Sequence, residues 1–247
     1  MIWYKIKLLL YVIKLKKKKR TKTFVKQDYD YSWLTDKTPK EMYYSFQNKD
    51  PNEICICRFK GKFIKIKYGD MSLKRKNLIF DVVKNYINSG DEIIELGCGA
   101  GTNLFFFRDN GLMNKMNGCE QSINAITYAK KQKYDNITFF VADITKDEMD
   151  LKGKIVFTCY ALEQLKHYMV DVIKNIIRQK PKLVINIETV YTHVDFISKL
   201  YIKKMDYQDN LLKILKQNNV QILQFYESEL SGNPLNRQFC IVWKPTQ

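Results

Sequence analysis

A glycine-rich turn at residues 97–101 constrains the fold of this chain more than any other feature. It follows residues 92–96, a mostly apolar run typical of a buried parallel strand, and it precedes residues 102–107, where the pattern predicts the start of a helix. Glycines at alternate positions permit a tight bend and let a ligand lie against bare backbone, while the helix N–H groups point at that ligand. The stretch therefore predicts a strand–turn–helix unit with a nucleotide-type site.

The spacing of the three glycines distinguishes between two kinds of cofactor. The dinucleotide fingerprint is GxGxxG, whereas here Gly97, Gly99 and Gly101 alternate and Glu95 stands two residues before the first of them. Residues 95–101, ELGCGAG, resemble instead the first motif of class I S-adenosylmethionine (SAM) dependent methyltransferases. A glycine-rich turn without a ligand is the alternative interpretation.

The resemblance implies a set of cofactor contacts in and after this motif. The loop would hold the methionine part of SAM, and Glu95 would orient the loop and the amino group of the cofactor. The loop residues that we expect at the cofactor are Gly97, Cys98, Gly99, Gly101 and Asn103.

Two further acidic residues follow predicted strands in the order that this family shows. Glu120 ends the strand predicted at 115–119, about 20 residues after the glycines, where a carboxylate can accept both ribose hydroxyl hydrogens. The resemblance gives it that role, beside Gln121. Asp143 follows the strand predicted at 137–142, and the resemblance implies that it accepts from the adenine amino group while Ile144 backs the ring. A helix cap is the alternative role for Asp143.

The alternation of apolar runs and amphipathic stretches continues to the end of the chain. It predicts an α/β fold: a Rossmann-like, seven-stranded, mostly parallel sheet with helices on both faces, the last two strands antiparallel, and an N-terminal extension. We expect a basic amphipathic segment at 1–26. An aromatic-rich extension with a small hairpin, a candidate lid, should occupy 27–69, and the methyltransferase domain should occupy 70–247.

The segment after the fourth strand, residues 160–165, is where the family brings the methyl acceptor to the sulfonium. We assign Tyr160 to the cofactor. The Asn/Asp-Pro-Pro-aromatic run that marks methylation of adenine amino groups is absent from this position. A hydroxyl acceptor has to lose a proton, and the candidate bases near the strand ends are Glu163, His167, Glu188 and His193. His193 could act at neutral pH because an unperturbed histidine has a pKa of about 6.5, although a structural role is the alternative.

Polar residues in the last third of the chain suit an acceptor with many hydroxyl groups. We expect substrate contacts from Tyr191, Tyr207, Asn210, Asn233 and Asn236. The runs at 232–236 and 241–245 give a weaker resemblance to methyltransferases of bacterial surface-polysaccharide (capsule or lipopolysaccharide) biosynthesis. That resemblance implies O-methylation of a sugar, or of a small substituent such as a phosphoramidate, on the polysaccharide or its precursor. A non-catalytic protein with the same fold is a further alternative.

Charge and cysteine content bear on partners and location. The net charge is +16, and residues 1–26 carry ten basic residues and no acidic one. An RNA methyltransferase that uses this segment as a phosphate-binding arm is therefore the alternative function. Residues 1–20 are too rich in lysine to span a bilayer, and they lack the order of a signal peptide. On a helical projection Ile2, Ile6, Leu9 and Ile13 oppose Lys7, Lys14 and Lys18, as in a helix on an anionic membrane.

The alternative for this segment is that its helix packs on its own domain or on a second copy of the chain. The six cysteines show no CxxC pair and there are two histidines, so no metal site is expected and the thiols suit a cytoplasmic protein, at the inner membrane face if the helix binds lipid. The oligomeric state stays open.

Overall fold

The computed structural model describes residues 2–20, 31–32, 34, 37–44 and 49–246. The strands are β1 (Ile54–Phe59), β2 (Lys62–Lys67), β3 (Ile93–Leu96), β4 (Met116–Glu120), β5 (Ile137–Val141), β6 (Ile155–Cys159), β7 (Leu183–Glu188), β8 (Gln221–Glu227), β9 (Leu230–Ser231) and β10 (Phe239–Lys244). The α-helices are α1 (Ile2–Lys14), α2 (Pro39–Tyr44), α3 (Tyr68–Lys84), α4 (Thr102–Asp109), α5 (Ile123–Lys131), α6 (Met169–Arg178), α7 (Phe196–Met205) and α8 (Leu211–Gln217).

Seven of these strands form the main sheet, in the order β5-β4-β3-β6-β7-β10-β8. Strands β3 to β7 run parallel, and β10 pairs antiparallel with both β7 and β8. The chain moves outward from β3 through β4 to β5 and then returns to the other side of β3 for β6. Such a reversal opens a crevice at the carboxyl ends of the strands. The predicted Rossmann-like fold is confirmed.

The central strands are apolar along their whole length because both faces of the sheet are covered. Successive side chains of a strand point to opposite faces, and accordingly Ile94 and Val156 lie in one buried core while their neighbours Ile93 and Phe157 lie in the other. Helices α6, α7 and α8 cover the first core, and helices α3, α4 and α5 cover the second. A continuous run of β-branched and aromatic residues is what a strand buried in this way requires.

The predicted small hairpin is present as β1 and β2, which turn at Gly61. It does not stand apart from the rest of the chain, because β9, from the C-terminal part, pairs with β1 at Arg58 opposite Ser231 and makes a three-stranded sheet. Much of the aromatic stretch predicted as a lid lies outside the described residues, namely 27–30, 33, 35–36 and 45–48. Within the described residues, no helix is long and apolar enough to cross a membrane.

Candidate active site

A cavity of about 410 Å³ opens at the carboxyl ends of β3, β4, β5 and β6. The first residues after each of these strands line it, because parallel strands end at the same edge of the sheet. Its size falls in the range of small-molecule sites. All the cofactor residues expected from the sequence except Gly101 line this cavity: Glu95, Gly97, Cys98, Gly99, Asn103, Glu120, Gln121, Asp143, Ile144 and Tyr160.

The glycine loop presents bare backbone to the cavity because side chains would not fit. Gly97 has φ of 74°, and a Cβ atom there would lie 2.5 Å from the Cβ of Ala161. Gly99 has φ of 54°, and its Cβ would collide with the hydroxyl of Tyr31. Both angles lie in the left-handed region that side chains disfavour. The loop is closed by N–H groups of Gly97 and Cys98, which both donate to the Cys119 carbonyl at 2.9 Å.

The third glycine has a different role from the one expected. Gly101 stands at the N-cap of α4 with φ of 77° and does not line the cavity. A Cβ atom there would lie 2.6 Å from the ring of Phe139 on β5. Gly101 therefore lets helix α4 pack tightly against the sheet, and its effect on a ligand is indirect.

Glu95 is buried at the base of the loop, within a polar cluster that the sequence showed only in part. The Asn103 side-chain amide donates to Glu95 Oε1 at 2.6 Å, and Lys76 Nζ donates to Asn103 Oδ1 at 2.9 Å. Burial raises the pKa of Glu95 and lowers that of Lys76, while the attraction between them opposes both shifts. Glu95 Oε2 is buried, and no described residue donates to it. A ligand amino group would supply the missing donor.

Arg75 brings a positive charge to the same cavity. Its guanidinium carbon lies 5.4 Å from the centre of the Tyr160 ring, and its buried Nε has no hydrogen-bond acceptor among the described residues. Glu95 and Arg75 thus offer an unsatisfied acceptor and an unsatisfied donor to one ligand. The amino-acid part of SAM carries an ammonium and a carboxylate, so the site fits that group.

Sequence analysis missed Arg75 and Lys76 because both come from α3, before the recognised motif. The signal that could have found Lys76 is its place among buried positions of α3, three residues before Ile79. A lysine on the buried side of a helix needs a polar partner.

Glu120 and Asp143, the expected ribose and adenine contacts, line the cavity at the ends of β4 and β5. Glu120 is buried, and its Oε1 accepts from the Gln121 N–H at 2.7 Å while Oε2 accepts from the Gly99 N–H at 3.2 Å. Burial raises the pKa of Glu120, and these hydrogen bonds oppose that shift. Asp143 Oδ1 accepts from the Thr145 N–H at 2.9 Å and closes a turn, but residues 144–150 are not helical, so the helix-cap role left open above is not present. Both carboxylates are held in fixed positions on the cavity wall.

Glu163 lies on the cavity wall beyond Tyr160, in the 3-10 turn Leu162–Gln164. Its side chain is buried: Oε2 accepts from the Asn236 amide at 2.6 Å and Oε1 accepts from the Gln164 amide at 2.7 Å. Burial and the neighbouring Glu188 carboxyl raise the pKa of Glu163 to about 8. The predicted substrate residues Tyr207, Asn233 and Asn236 line the same cavity. Of the four candidate bases, Glu163 is the one that lines the cavity together with these predicted substrate residues.

Glu188 does not line the cavity and holds its wall in place instead. Its carboxylate accepts from the N–H groups of Ala161 and Leu162, each at 3.1 Å, and of Glu163 at 3.2 Å. The three donors come directly after Tyr160 in the chain. Tyr160 has φ of 56°, in the left-handed region, so its backbone conformation costs free energy that these hydrogen bonds help to offset. Burial raises the pKa of Glu188 to about 7. The structure thus supports Glu188 as a positioning residue rather than the base expected from the sequence.

Both histidines lie outside the cavity. His193 is exposed, and its ring packs on Phe225 with the ring centres 4.7 Å apart. His167 is also exposed, and its Nε2 is 2.9 Å from Asp206 Oδ2. An imidazole on the outer surface cannot take a proton from an acceptor in the cavity, so neither placement fits the proposed role as base.

Two of the predicted substrate residues are also placed away from the cavity. Tyr191 begins the 3-10 turn that contains His193, and Asn210 is the N-cap of α8. Neither lines the cavity, whose wall on this side comes instead from Tyr207, Asn233 and Asn236. The substrate contacts expected of Tyr191 and Asn210 are therefore not supported by their positions.

Comparison with known proteins decides the family. A family model described as "Methyltransferase domain" matches residues 87–229, more than half of the chain. The chain belongs to this family. This match confirms the methyltransferase domain predicted from the sequence.

One curated relative and several solved structures resemble the chain. "Putative methyltransferase 235L" of Invertebrate iridescent virus 6 is 28% identical over 158 residues, which are 60% of this chain and 59% of that protein. The chain therefore spans about three fifths of that relative. The N-methyltransferase NodS of Bradyrhizobium japonicum WM9, solved with S-adenosylhomocysteine, gives a TM-score of 0.56 at 12% identity, covering 72% of this chain and 88% of NodS.

Another neighbour is the geranyl diphosphate C-methyltransferase of Streptomyces coelicolor A3(2), which gives a TM-score of 0.55 at 10% identity and covers 73% of this chain and 78% of that enzyme. At such identities these structures show a common fold. The cyclase SpnF has the same fold, with a TM-score of 0.58 at 12% identity over 80% of this chain and 89% of SpnF. Since a cyclase shares it, the fold alone does not name the acceptor.

Proposed function

We propose that this chain transfers the methyl group of SAM to a hydroxyl group of a small polar acceptor, with Glu163 as the general base. One observation carries the proposal: a buried carboxylate with a pKa of about 8 lies on the wall of the cavity that contains the glycine loop. A general base works best when its pKa is near the working pH. An ordinary glutamate would be too weak a base for a hydroxyl.

The residues that would hold the cofactor follow from the fit described above. Glu95 would accept from its amino group, and Arg75 would hold its carboxylate. Glu120 would bind the ribose, while Asp143 and Ile144 would contact the adenine. When bound, SAM supplies a methyl group activated by a sulfonium, so the protein has to position the acceptor and remove its proton.

Glu163 is held ready for that proton transfer. The amides of Asn236 and Gln164 each donate to one of its oxygens, which fixes the direction of the carboxylate. Glu188 fixes the backbone on which Glu163 stands. An acceptor hydroxyl would donate to a Glu163 oxygen, and its proton would move to that oxygen as the hydroxyl oxygen accepts the methyl group, leaving S-adenosylhomocysteine.

The acceptor part of the cavity favours a ligand with several hydroxyl groups. Gln164 Oε1 is buried and receives no hydrogen bond from the described residues, so it can accept from one hydroxyl. Tyr68 and Tyr207 also line the cavity and add aromatic surface beside these polar groups. We therefore infer a sugar, or a small substituent such as a phosphoramidate, of a surface polysaccharide or its precursor.

The second candidate is methylation of RNA, favoured by the exposed Lys16, Lys17 and Lys19 of the N-terminal segment. The test is incubation with methyl-labelled SAM and separate pools of nucleotide sugars, cell-envelope glycan and RNA. We expect label in a sugar pool with the unaltered protein and none with Glu163→Gln. Incorporation into RNA that weakens steeply with added salt would overturn the sugar proposal.

A further inference from the structure

Helix α1 has two apolar stripes on opposite sides. The first consists of Tyr4, Leu8 and Val12, continued by Leu15 just after the helix, and it packs on the protein. Val12 is 1% exposed and belongs to the core that α6, α7 and α8 cover, and Leu8 and Leu15 pack against the same core. The ring of Tyr4 meets that of Phe63 edge-on, with the ring centres 4.8 Å apart. Residues four apart share one side of a helix, so this stripe attaches α1 to the domain.

The second stripe faces outward. Trp3, Ile6, Leu10 and Ile13 are 77%, 44%, 52% and 56% exposed. Their spacing of three and four residues puts them on one side of the helix, opposite the first stripe. Lone exposed apolar residues are ordinary, but four on one helix face form a patch that indicates a binding surface.

Lysines surround this outward stripe. Lys5, Lys7 and Lys14 are exposed on α1, and Lys16, Lys17 and Lys19 are exposed just after it. The sequence has no acidic residue from Met1 to Lys26. A surface that covers the stripe has to be apolar within and anionic at its rim.

We propose that α1 docks this protein on an anionic lipid surface, with Trp3, Ile6, Leu10 and Ile13 at the acyl boundary and the lysines at the headgroups. A bilayer supplies both components at once: apolar depth for the stripe and negative charge for the lysines. A second copy of this helix would bring lysines against lysines. An RNA strand would satisfy the lysines and leave the stripe in water.

The docked helix would carry the folded domain with it, because the segment after α1 is tied to α7. Lys204 Nζ donates to the carbonyl of Leu15 at 3.1 Å, and Lys18 N–H donates to the carbonyl of Lys204 at 2.8 Å. The Arg20 guanidinium lies 4.6 Å from the centre of the Tyr207 ring, and Tyr207 lines the active-site cavity. The segment that follows the docked helix would therefore contact a residue of the cavity wall. The proposal does not depend on which acceptor is methylated.

The test is co-sedimentation of the full chain with vesicles of phosphatidylcholine alone or mixed with phosphatidylglycerol. We expect binding that needs the anionic lipid, and at least a tenfold loss of binding in the triple variant Ile6→Glu, Leu10→Glu and Ile13→Glu. The matched control, Met113→Glu, Val170→Glu and Leu223→Glu, has the same net charge and alters exposed apolar residues elsewhere. It should bind as the unaltered protein does.

Tryptophan fluorescence gives a second measurement. Anionic vesicles should shift the emission to shorter wavelength, and Trp3→Phe should remove that shift. Equal vesicle binding by the stripe variant and the matched control would overturn the proposal. So would lipid-free dimers, seen by sedimentation equilibrium, that disappear in the stripe variant, because the stripe would then bind a second copy.

Discussion

Replacing Glu163 by glutamine tests both the assigned base and the electrostatics of its site. The change keeps the size of the side chain and removes its ability to take a proton. General bases typically contribute about 10²- to 10⁴-fold to a rate, so we expect kcat to fall at least about a hundredfold. SAM affinity should change little, because Glu163 follows β6, away from the glycine loop and from Glu120, which we propose as the main cofactor contacts.

The pH dependence gives the sharper result. With a pKa of about 8, Glu163 is mostly protonated at pH 6, so the unaltered enzyme should gain about tenfold in kcat/KM for each pH unit up to about 8 and then level off. The variant should lack this rise. His193→Gln is the control: its exposed ring lies outside the cavity, and rate and profile should be unchanged.

The raised pKa of Glu163 also predicts how the stability of the folded protein changes with pH. Its pKa is raised from 4.5 to about 8 in the folded protein, so the unfolded chain releases this proton first as pH rises. The free energy of unfolding therefore falls between pH 4.5 and 8, by about 1.4 kcal/mol per pH unit for one group. Glu163→Gln removes that contribution, and its melting temperature should fall less over this range than that of the unaltered protein.

Initial rates with labelled SAM between pH 6 and 10, with calorimetric titration of SAM and thermal melts, give all three measurements. The reasoning is refuted if Glu163→Gln retains the rate and pH profile of the unaltered enzyme. A loss of the alkaline rise in His193→Gln would equally show that the base had been misplaced.

Three further substitutions test the cofactor site. Glu120→Ala should weaken SAM binding by about 1.5 to 3 kcal/mol for each charge-assisted hydrogen bond lost, and unchanged affinity in calorimetry would contradict its ribose role. Arg75→Leu should likewise lower SAM affinity at least about tenfold, because a charged group would lose its partner, and an effect on the acceptor KM alone would instead place an acceptor anion there. Gly101→Ala should lower the melting temperature more than Gly111→Ala: both glycines have positive φ, but only at Gly101 would the added Cβ meet Phe139. Equal losses would mean that backbone strain, and not the packing of α4, sets the requirement.

The sequence by itself determined the fold and the glycine-loop end of the cavity. Alternate glycines after an apolar strand can make few structures other than a tight loop into a helix, and that loop formed as expected. Glu120 and Asp143 followed because residues after parallel strands meet at one edge of the sheet. Continuous apolar runs also predicted the buried strands, since a strand covered on both sheet faces is apolar along its whole length.

Only the tertiary structure decided which polar groups meet across the cavity. Along the chain Glu163, Glu188 and His193 were all candidates for the base, and His193 had the best argument because an unperturbed histidine titrates near neutral pH. In the folded chain Glu163 is buried on the cavity wall, Glu188 accepts hydrogen bonds from the backbone of residues 161–163, and His193 is exposed on the surface. Arg75 reached the cavity from a helix that carries no motif.

Helix α1 shows the same division between local and long-range information. Its sequence reveals apolar residues on more than one side, and the charge pattern indicates an anionic partner. Which stripe packs inward depends on α7 and Phe63, which are far away in sequence. A helical repeat is a local property, whereas burial depends on which distant surface the fold brings against each face.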